Sequence, residues 1–140
     1  MIKRKQTNRV IFHHSLSTRG DADTIRGWHL SRGFSDIGYH YVILKDGTIE
    51  DGRDYKLQGA HAYGKNRDSI GVCLIGDFRK EAPTRLQLEA CARLYHSTSR
   101  LYGKNLKIGF HRTIEVWNPC PGKGLCRKCF INELNEVRPY

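Results

Sequence analysis

Short apolar stretches typical of buried strands alternate with amphipathic stretches typical of helices along this 140-residue chain. Apolar runs and turn signals predict strands at residues 9–14, 38–44, 48–52, 69–76 and 106–110. Helices are predicted at 23–32, 83–102 and near 130–137, and Ile25 and Trp28, three residues apart, are expected to pack on the core. Because strands and helices interleave, we predict an α/β fold in which helices flank a central mixed β-sheet.

The length of the chain favours a single domain spanning residues 1–140, with residues 1–8 as a basic N-terminal extension. No apolar run approaches the roughly 18 residues needed to cross a bilayer, so no membrane span is expected. The basic N-terminus is not followed by an apolar segment typical of signal peptides. We therefore expect synthesis in a cytoplasm.

The cysteine count and the charge constrain the chemistry and the partners. Five cysteines make an odd number without a secretion signal, so a disulfide framework is not expected. Cys73 and Cys91 lie in apolar patterns and are predicted to be core residues. A formal net charge of +10 favours an anionic partner, which charge alone leaves open between nucleic acid, a membrane surface and a cell envelope.

The segment 109–122 carries two zinc-ligand types on a restricted loop. His111 follows a predicted strand, and Cys120 lies between Pro119 and Pro121. Zinc in proteins takes three or four such ligands in tetrahedral array. Further candidates lie at the ends of the predicted strands and in a loop, namely His13 or His14, His40 and His61. Because successive strand residues face opposite ways, at most one of the first two can face a given site.

The chain resembles the family of type 2 N-acetylmuramoyl-L-alanine amidases and peptidoglycan recognition proteins, in particular the phage endolysins of the amidase type. The resemblance covers roughly residues 9–122, and residues 123–140 diverge. It rests on separated motifs in the family's order: Ile-Phe-His-His-Ser at 11–15, Asp-Ile-Gly-Tyr-His-Tyr at 36–41, Gly-Ala-His-Ala at 59–62, Ser-Ile-Gly-Val-Cys-Leu-Ile-Gly at 69–76, Gly-Phe-His-Arg at 109–112 and Cys-Pro-Gly at 120–122.

This resemblance implies a Zn²⁺ cofactor bound by His14, His111 and Cys120, with the fourth position left to water. His14 matches the ligand position as the second residue after the Ile-Phe pair. The implied reaction is hydrolysis of the amide between N-acetylmuramic acid and L-alanine of the stem peptide.

The resemblance also implies roles beside the metal. Tyr39 matches the family's tyrosine near zinc, and Asn118 stands where many members carry a catalytic Lys or Thr. His61 and His40 are implied to contact substrate or support the site. Asn66 is expected in the substrate groove or in a turn.

Three alternatives remain open at this stage. A non-catalytic member of the family would bind peptidoglycan without cleaving it, and related phage proteins also bind the phage RNA polymerase. A structural zinc site of His111, Cys120, Cys126 and Cys129 would instead favour a basic nucleic-acid-binding module. On the amidase interpretation we expect a monomer that binds peptidoglycan and not nucleic acid, made in the host cytoplasm and acting on the cell wall after the membrane is permeabilised.

Overall fold

The computed structural model describes residues 1–111 and Asn132. Its strands are β1 (Arg9–His14), β2 (Tyr41–Ile43), β3 (Ile49–Asp51), β4 (Ser69–Leu74) and β5 (Lys107–Phe110), and its helices are α1 (Ala22–Ser31) and α2 (Arg85–Tyr102). The five strands form one sheet in the order β3-β2-β4-β1-β5. Strands β2 and β3 are antiparallel, and all other neighbours are parallel. The predicted mixed sheet is thus confirmed. The predicted final helix and residues 123–140 lie outside the described residues, apart from Asn132.

The sheet carries one helix on each face. Val10 and Phe12 of β1 pack with Leu74 and Phe110 in the core beneath α2. Cys73 of β4 belongs instead to the second core, beneath α1. Because side chains alternate along a strand, the odd-numbered residues of β1 face α1 and the even-numbered ones face α2.

Local capping explains where the helices begin and end. The Asp21 carboxylate accepts the Thr24 backbone N–H at the start of α1. Thr84 and Gln87 form a reciprocal capping box before α2, as their spacing predicts. Helix α2 ends at Gly103, whose φ of 65° is a left-handed conformation that glycine adopts without strain.

The second strand is shorter than the predicted 38–44. The His40 N–H donates to the Gly71 carbonyl, but the Gly71 N–H donates to the His40 ring and not to a backbone carbonyl. Gly38 pairs with Ala60 in the following loop. Residues 38–40 therefore join a loop to the sheet and do not extend the strand. Within the described residues, no helix is long and apolar enough to cross a membrane.

The first eight residues, expected to be an extension, are bound into the domain. Arg4 donates hydrogen bonds to the Thr7 hydroxyl, the Leu57 carbonyl and the Tyr102 hydroxyl at 2.7, 2.9 and 2.8 Å. Lys3 forms an isolated bridge with Leu57. The N-terminus thus connects the loop before β4 to the end of α2.

Replacing Arg4 with alanine is expected to lower the free energy of unfolding by about 1 to 3 kcal/mol, since it leaves these acceptors without their donor. Urea denaturation measures the change. Lys5→Ala is the matched control, because Lys5 is exposed, and its effect should stay within about 0.5 kcal/mol. Equal effects of the two substitutions would contradict a structural role of Arg4.

Candidate metal centre and active site

The pairing of β1 with β5 brings two histidines together. The parallel register places Phe12 opposite Phe110, and the residue that follows each phenylalanine is a histidine on the α1 face. The centroids of the His13 and His111 rings lie 4.6 Å apart. Two imidazoles distant in sequence therefore meet at the carboxyl ends of neighbouring strands.

His14 lies on the other face of β1. Its ring stacks on Phe78 at a centroid distance of 5.3 Å, and its Nδ1 accepts the Phe78 backbone N–H at 2.9 Å. Of the two histidines of β1, it is His13 whose ring lies beside that of His111, so this geometry favours His13 over the predicted ligand His14. The reason is the strand pleat: a shift of one residue moves a side chain to the opposite face of the sheet.

A cavity of about 380 Å³ is lined by His111, His61 and His14. Tyr39 lies in its wall, and its ring centroid is 5.0 Å from that of His13. The face of α1 supplies Trp28 and Arg32, and the Arg32 guanidinium lies 5.7 Å from the centre of the Phe34 ring. Trp28 is 44% exposed, so it lines the cavity and is not the core residue that its helical spacing predicts.

His61 lies between His13 and β4. Its Nδ1 is 2.9 Å from His13 Nε2, and its Nε2 is 3.2 Å from the Ser69 hydroxyl. Burial lowers the pKa of both His13 and His61 well below the ordinary histidine value, and the neighbouring histidines lower it further. Both rings are therefore neutral at pH 7, as a metal-binding imidazole must be.

The nitrogen atoms of His13 fit a metal ligand. While Nε2 is bonded to His61, Nδ1 is buried and has no hydrogen-bond partner in the part of the chain that the structure describes. A buried imidazole nitrogen left in this way is costly unless something binds it. Residues 1–111 and Asn132 contain no cluster of three metal-binding side chains. The predicted ligand Cys120 and the predicted catalytic residue Asn118 lie outside the described residues.

His40 is a buried structural histidine, and of the two roles implied for it this geometry favours the supporting role and not a contact with substrate. Its ring is fully buried, its Nδ1 accepts the Gly71 N–H at 3.0 Å, and its Nε2 donates to the Leu57 carbonyl at 2.8 Å. Both ring nitrogens are therefore used to join β4 to the loop before it. Burial lowers the pKa of His40 to about 4, although the Leu57 carbonyl opposes the shift.

Asn66 shapes the loop that carries His61. Its side-chain oxygen accepts the backbone N–H groups of His61 and Ala62 at 2.9 and 3.0 Å. Of the two roles left open for Asn66, this geometry supports the turn. Arg53, near the start of the same loop, also stabilises it, since its guanidinium donates to the carbonyls of Ile37 and Gln58.

Sequence reasoning missed two features of the site. Ser69 looked like an ordinary strand residue, and its contact with His61 has no local signal because eight positions separate them. The choice between His13 and His14 did have a signal. The same Phe-His step occurs within β1, at residues 12–13, and where β5 ends, at residues 110–111, and equivalent steps in neighbouring parallel strands face the same way.

A model of the N-acetylmuramoyl-L-alanine amidase family matches residues 3–123. The chain belongs to this family. The endolysin of Enterobacteria phage K11 is 35% identical to it, over 94% of this chain and 91% of the endolysin. The predicted family membership is confirmed, and it supports activity as a peptidoglycan amidase.

Solved structures agree with this assignment. The amidase LysC from Clostridium intestinale URNW superposes with a TM-score of 0.86 at 30% identity, covering 93% of this chain and 86% of LysC. The ectodomain complex of peptidoglycan recognition proteins LCa and LCx, solved with tracheal cytotoxin bound, has a matching chain with a TM-score of 0.82 at 30% identity. That match covers 89% of this chain and 82% of the other.

The absence of a side chain at Gly71 leaves the space that the His61 ring occupies. A Cβ at Gly71 would collide with the His61 ring, whereas a Cβ at Gly27 in α1 would meet nothing within 4 Å. Gly71→Ala should lower the free energy of unfolding by about 1 to 3 kcal/mol. It should also reduce amidase activity by about 10- to 100-fold, because the ring is displaced.

Gly27→Ala is the control, and it should leave activity unchanged while stabilising α1 by up to about 1 kcal/mol. Urea denaturation and amide-bond hydrolysis measure the two effects. Full activity of Gly71→Ala would show that the site does not depend on the position of the His61 ring.

The buried His40 makes stability depend on pH. Its pKa is about 4 in the folded protein, so the unfolded chain takes up a proton first as the pH falls below the ordinary value of 6.5. The stability contributed by neutral His40 is therefore complete above pH 6.5 and is lost between pH 6.5 and about 4, on the order of 3 kcal/mol in all.

His40→Gln isolates this contribution, since the other buried histidines are common to both proteins. The variant should be less stable than the wild type at pH 7, and the difference should shrink by pH 4.5. Urea denaturation across this range measures it. A difference that is constant with pH would contradict the assignment.

Proposed function

We propose that this chain is a zinc-dependent amidase that hydrolyses the bond between N-acetylmuramic acid and L-alanine of the stem peptide, and that it lyses the host cell as a phage endolysin. The observation that carries the proposal is the contact between His13 and His111, the second of which lines an open cavity. Family membership supports the amidase reaction, and the K11 endolysin supports the role in lysis.

The proposed ligands are His13 through Nδ1, His111 and Cys120. His13 replaces His14 in the proposed ligand set because its ring lies 4.6 Å from that of His111, whereas the His14 ring stacks on Phe78. His13 Nδ1 is buried and has no hydrogen-bond partner among the described residues. Cys120 completes the set on the strength of the family motif Cys-Pro-Gly at 120–122. Three ligands of this kind are typical of catalytic zinc sites, which keep a fourth position open.

Zinc bound at such a site polarises a carbonyl and lowers the pKa of an attacking water toward neutrality. The remaining work falls to the side chains of the cavity. Tyr39, in van der Waals range of the His13 ring, can donate its phenol O–H to the oxygen that gains negative charge as the amide is attacked. Asn118 is retained as a second donor from the family position, since an amide N–H can serve in the same way.

The cavity wall suits a muramyl peptide. Trp28 offers an exposed apolar face on which a sugar ring or alkyl group can pack, and Arg32 provides a positive charge for a peptide carboxylate. The net charge of +10 adds attraction to anionic envelope polymers, which are the anionic partner that we propose. A peptidoglycan-binding protein without catalysis would use the same wall, so the metal site separates the two functions.

The decisive experiment compares His13→Ala with His14→Gln, which retains a hydrogen-bond acceptor for Phe78. His13→Ala should lose zinc and reduce the release of stem peptides by more than about 100-fold, because even loss of a ligand's partner costs about 10- to 100-fold. His14→Gln should retain zinc and stay within about 10-fold of wild-type activity, although it is less stable. Metal analysis and mass spectrometry of digested muropeptides give the two readouts.

Each part of the proposal has its own contrary result. Zinc lost in His14→Gln and retained in His13→Ala would restore the original ligand assignment. Peptidoglycan binding by the wild type without cleavage would favour the non-catalytic function. New reducing sugar ends with intact amide bonds would show a glycosidase.

A further inference from the structure

The direction of each hydrogen bond behind His13 follows from a single carbonyl. The Ser69 hydroxyl lies 2.7 Å from the Lys65 carbonyl oxygen, which only accepts, so the one hydroxyl proton is directed to it. The hydroxyl oxygen then faces His61 Nε2 at 3.2 Å with its lone pairs. His61 Nε2 must therefore carry a proton and donate it.

The same reasoning extends to His13. A neutral imidazole has one N–H, so His61 with its proton on Nε2 presents a lone pair at Nδ1. His13 Nε2 lies 2.9 Å from this atom and donates to it. The proton of His13 is thus on Nε2, and its Nδ1 lone pair is directed toward the site.

We propose that Ser69 and His61 are positioning residues that fix His13 in the Nε2–H tautomer, and that the Ser69 hydroxyl sets the direction of the hydrogen bonds between them. The inference rests on the proposed zinc site, for which Nδ1 of His13 is the ligand atom. The hydrogen bonds run from His13 to His61, then to Ser69, and end at the Lys65 carbonyl. His61 is therefore assigned a positioning role in place of the expected contact with substrate.

The surrounding backbone holds His61 in this orientation. Asn66 fixes the backbone N–H of His61, and a Cβ at Gly71 or Gly59 would collide with the His61 ring. Strand β4 and the loop at Gly59 thus pack closely around the ring and hold it in place. Ser69 is itself fully buried, so it has no access to substrate and acts only through His61.

The alternative tautomer would be unfavourable for metal binding. With its proton on Nδ1, His13 would present an N–H to the metal, and a ligating nitrogen must be unprotonated. A partner that holds the proton on the other nitrogen is the usual device for orienting a metal-bound histidine. In this protein the partner is a second histidine, whose own tautomer has to be fixed by a third group.

The test uses the full-length protein with ¹⁵N-labelled histidine. In the zinc-free wild type, the nitrogen chemical shifts should show His13 and His61 as Nε2–H tautomers. In Ser69→Ala the two rings should populate mixed tautomers, and the dissociation constant for zinc, measured by chelator competition, should rise about 10- to 100-fold. Ser99→Ala removes a hydroxyl from α2, away from the site, and should change neither quantity.

His61 is tested by a conservative pair of variants. His61→Gln can accept from His13 and donate to Ser69, so it should retain most of the zinc affinity that His61→Leu loses. Unfolding of the zinc-free variants distinguishes positioning from loss of stability, since a purely structural role would lower stability and leave the tautomer of His13 unchanged.

The results separate this inference from the proposed function. An Nδ1–H tautomer of His13 in the wild type, or unchanged tautomers and zinc affinity in Ser69→Ala, would overturn the positioning role. If the wild type bound no zinc but both rings were in the Nε2–H form, the proposed zinc site would be overturned. The direction of the hydrogen bonds set by Ser69 would still be supported.

Discussion

The parallel pairing of β1 with β5 is the constraint on which the site depends. It places Phe12 opposite Phe110 in the core beneath α2, and this burial fixes which face every neighbouring side chain occupies. His13 and His111 then share the other face, and their rings meet as a consequence of this register. A slip of one residue would bury a histidine in place of a phenylalanine, at a cost far above the free energy of one hydrogen bond. The hydrophobic core therefore determines the geometry of the polar site.

The loop between β3 and β4 performs the second task, which is to hold His61 over β4. Two of its own side chains bind its backbone, since Asn66 accepts the His61 N–H and Arg53 donates to the Gln58 carbonyl, so the loop does not need to bind substrate to be ordered. Glycines occur where the loop and the strand approach most closely, at positions 59 and 71. The missing side chains there provide the volume for an imidazole ring. The ordered loop and the space at these glycines together allow the polar His61 ring to be buried against β4.

Much of the fold could be predicted from the sequence, because periodicity, caps and turns are local. The Thr84 capping box and the central apolar strand, predicted at 69–76 and observed at Ser69–Leu74, required only neighbouring residues to be recognised. The choice between His13 and His14 in β1 could not be made from the match at Ile11 and Phe12, because it depends on the strand pleat and on which side chain lies beside His111. Ser69 and Arg53 could not be predicted, since their partners become neighbours only when the sheet and its loops are assembled.

His40 and His61 show how position in the fold separates residues that look alike in sequence. Each follows a glycine-containing motif, each is buried, and each was a candidate for contact with substrate. His40 uses both nitrogens on the backbone, at Gly71 and Leu57, and so has nothing to offer a ligand. His61 uses both nitrogens on side chains, one of which is His13. A histidine whose ring nitrogens are hydrogen-bonded to the backbone stabilises the fold. A histidine that is hydrogen-bonded to a proposed metal ligand instead fixes the orientation of that ligand. The partner of each nitrogen, more than burial or the pKa, therefore decides which histidine belongs to the site.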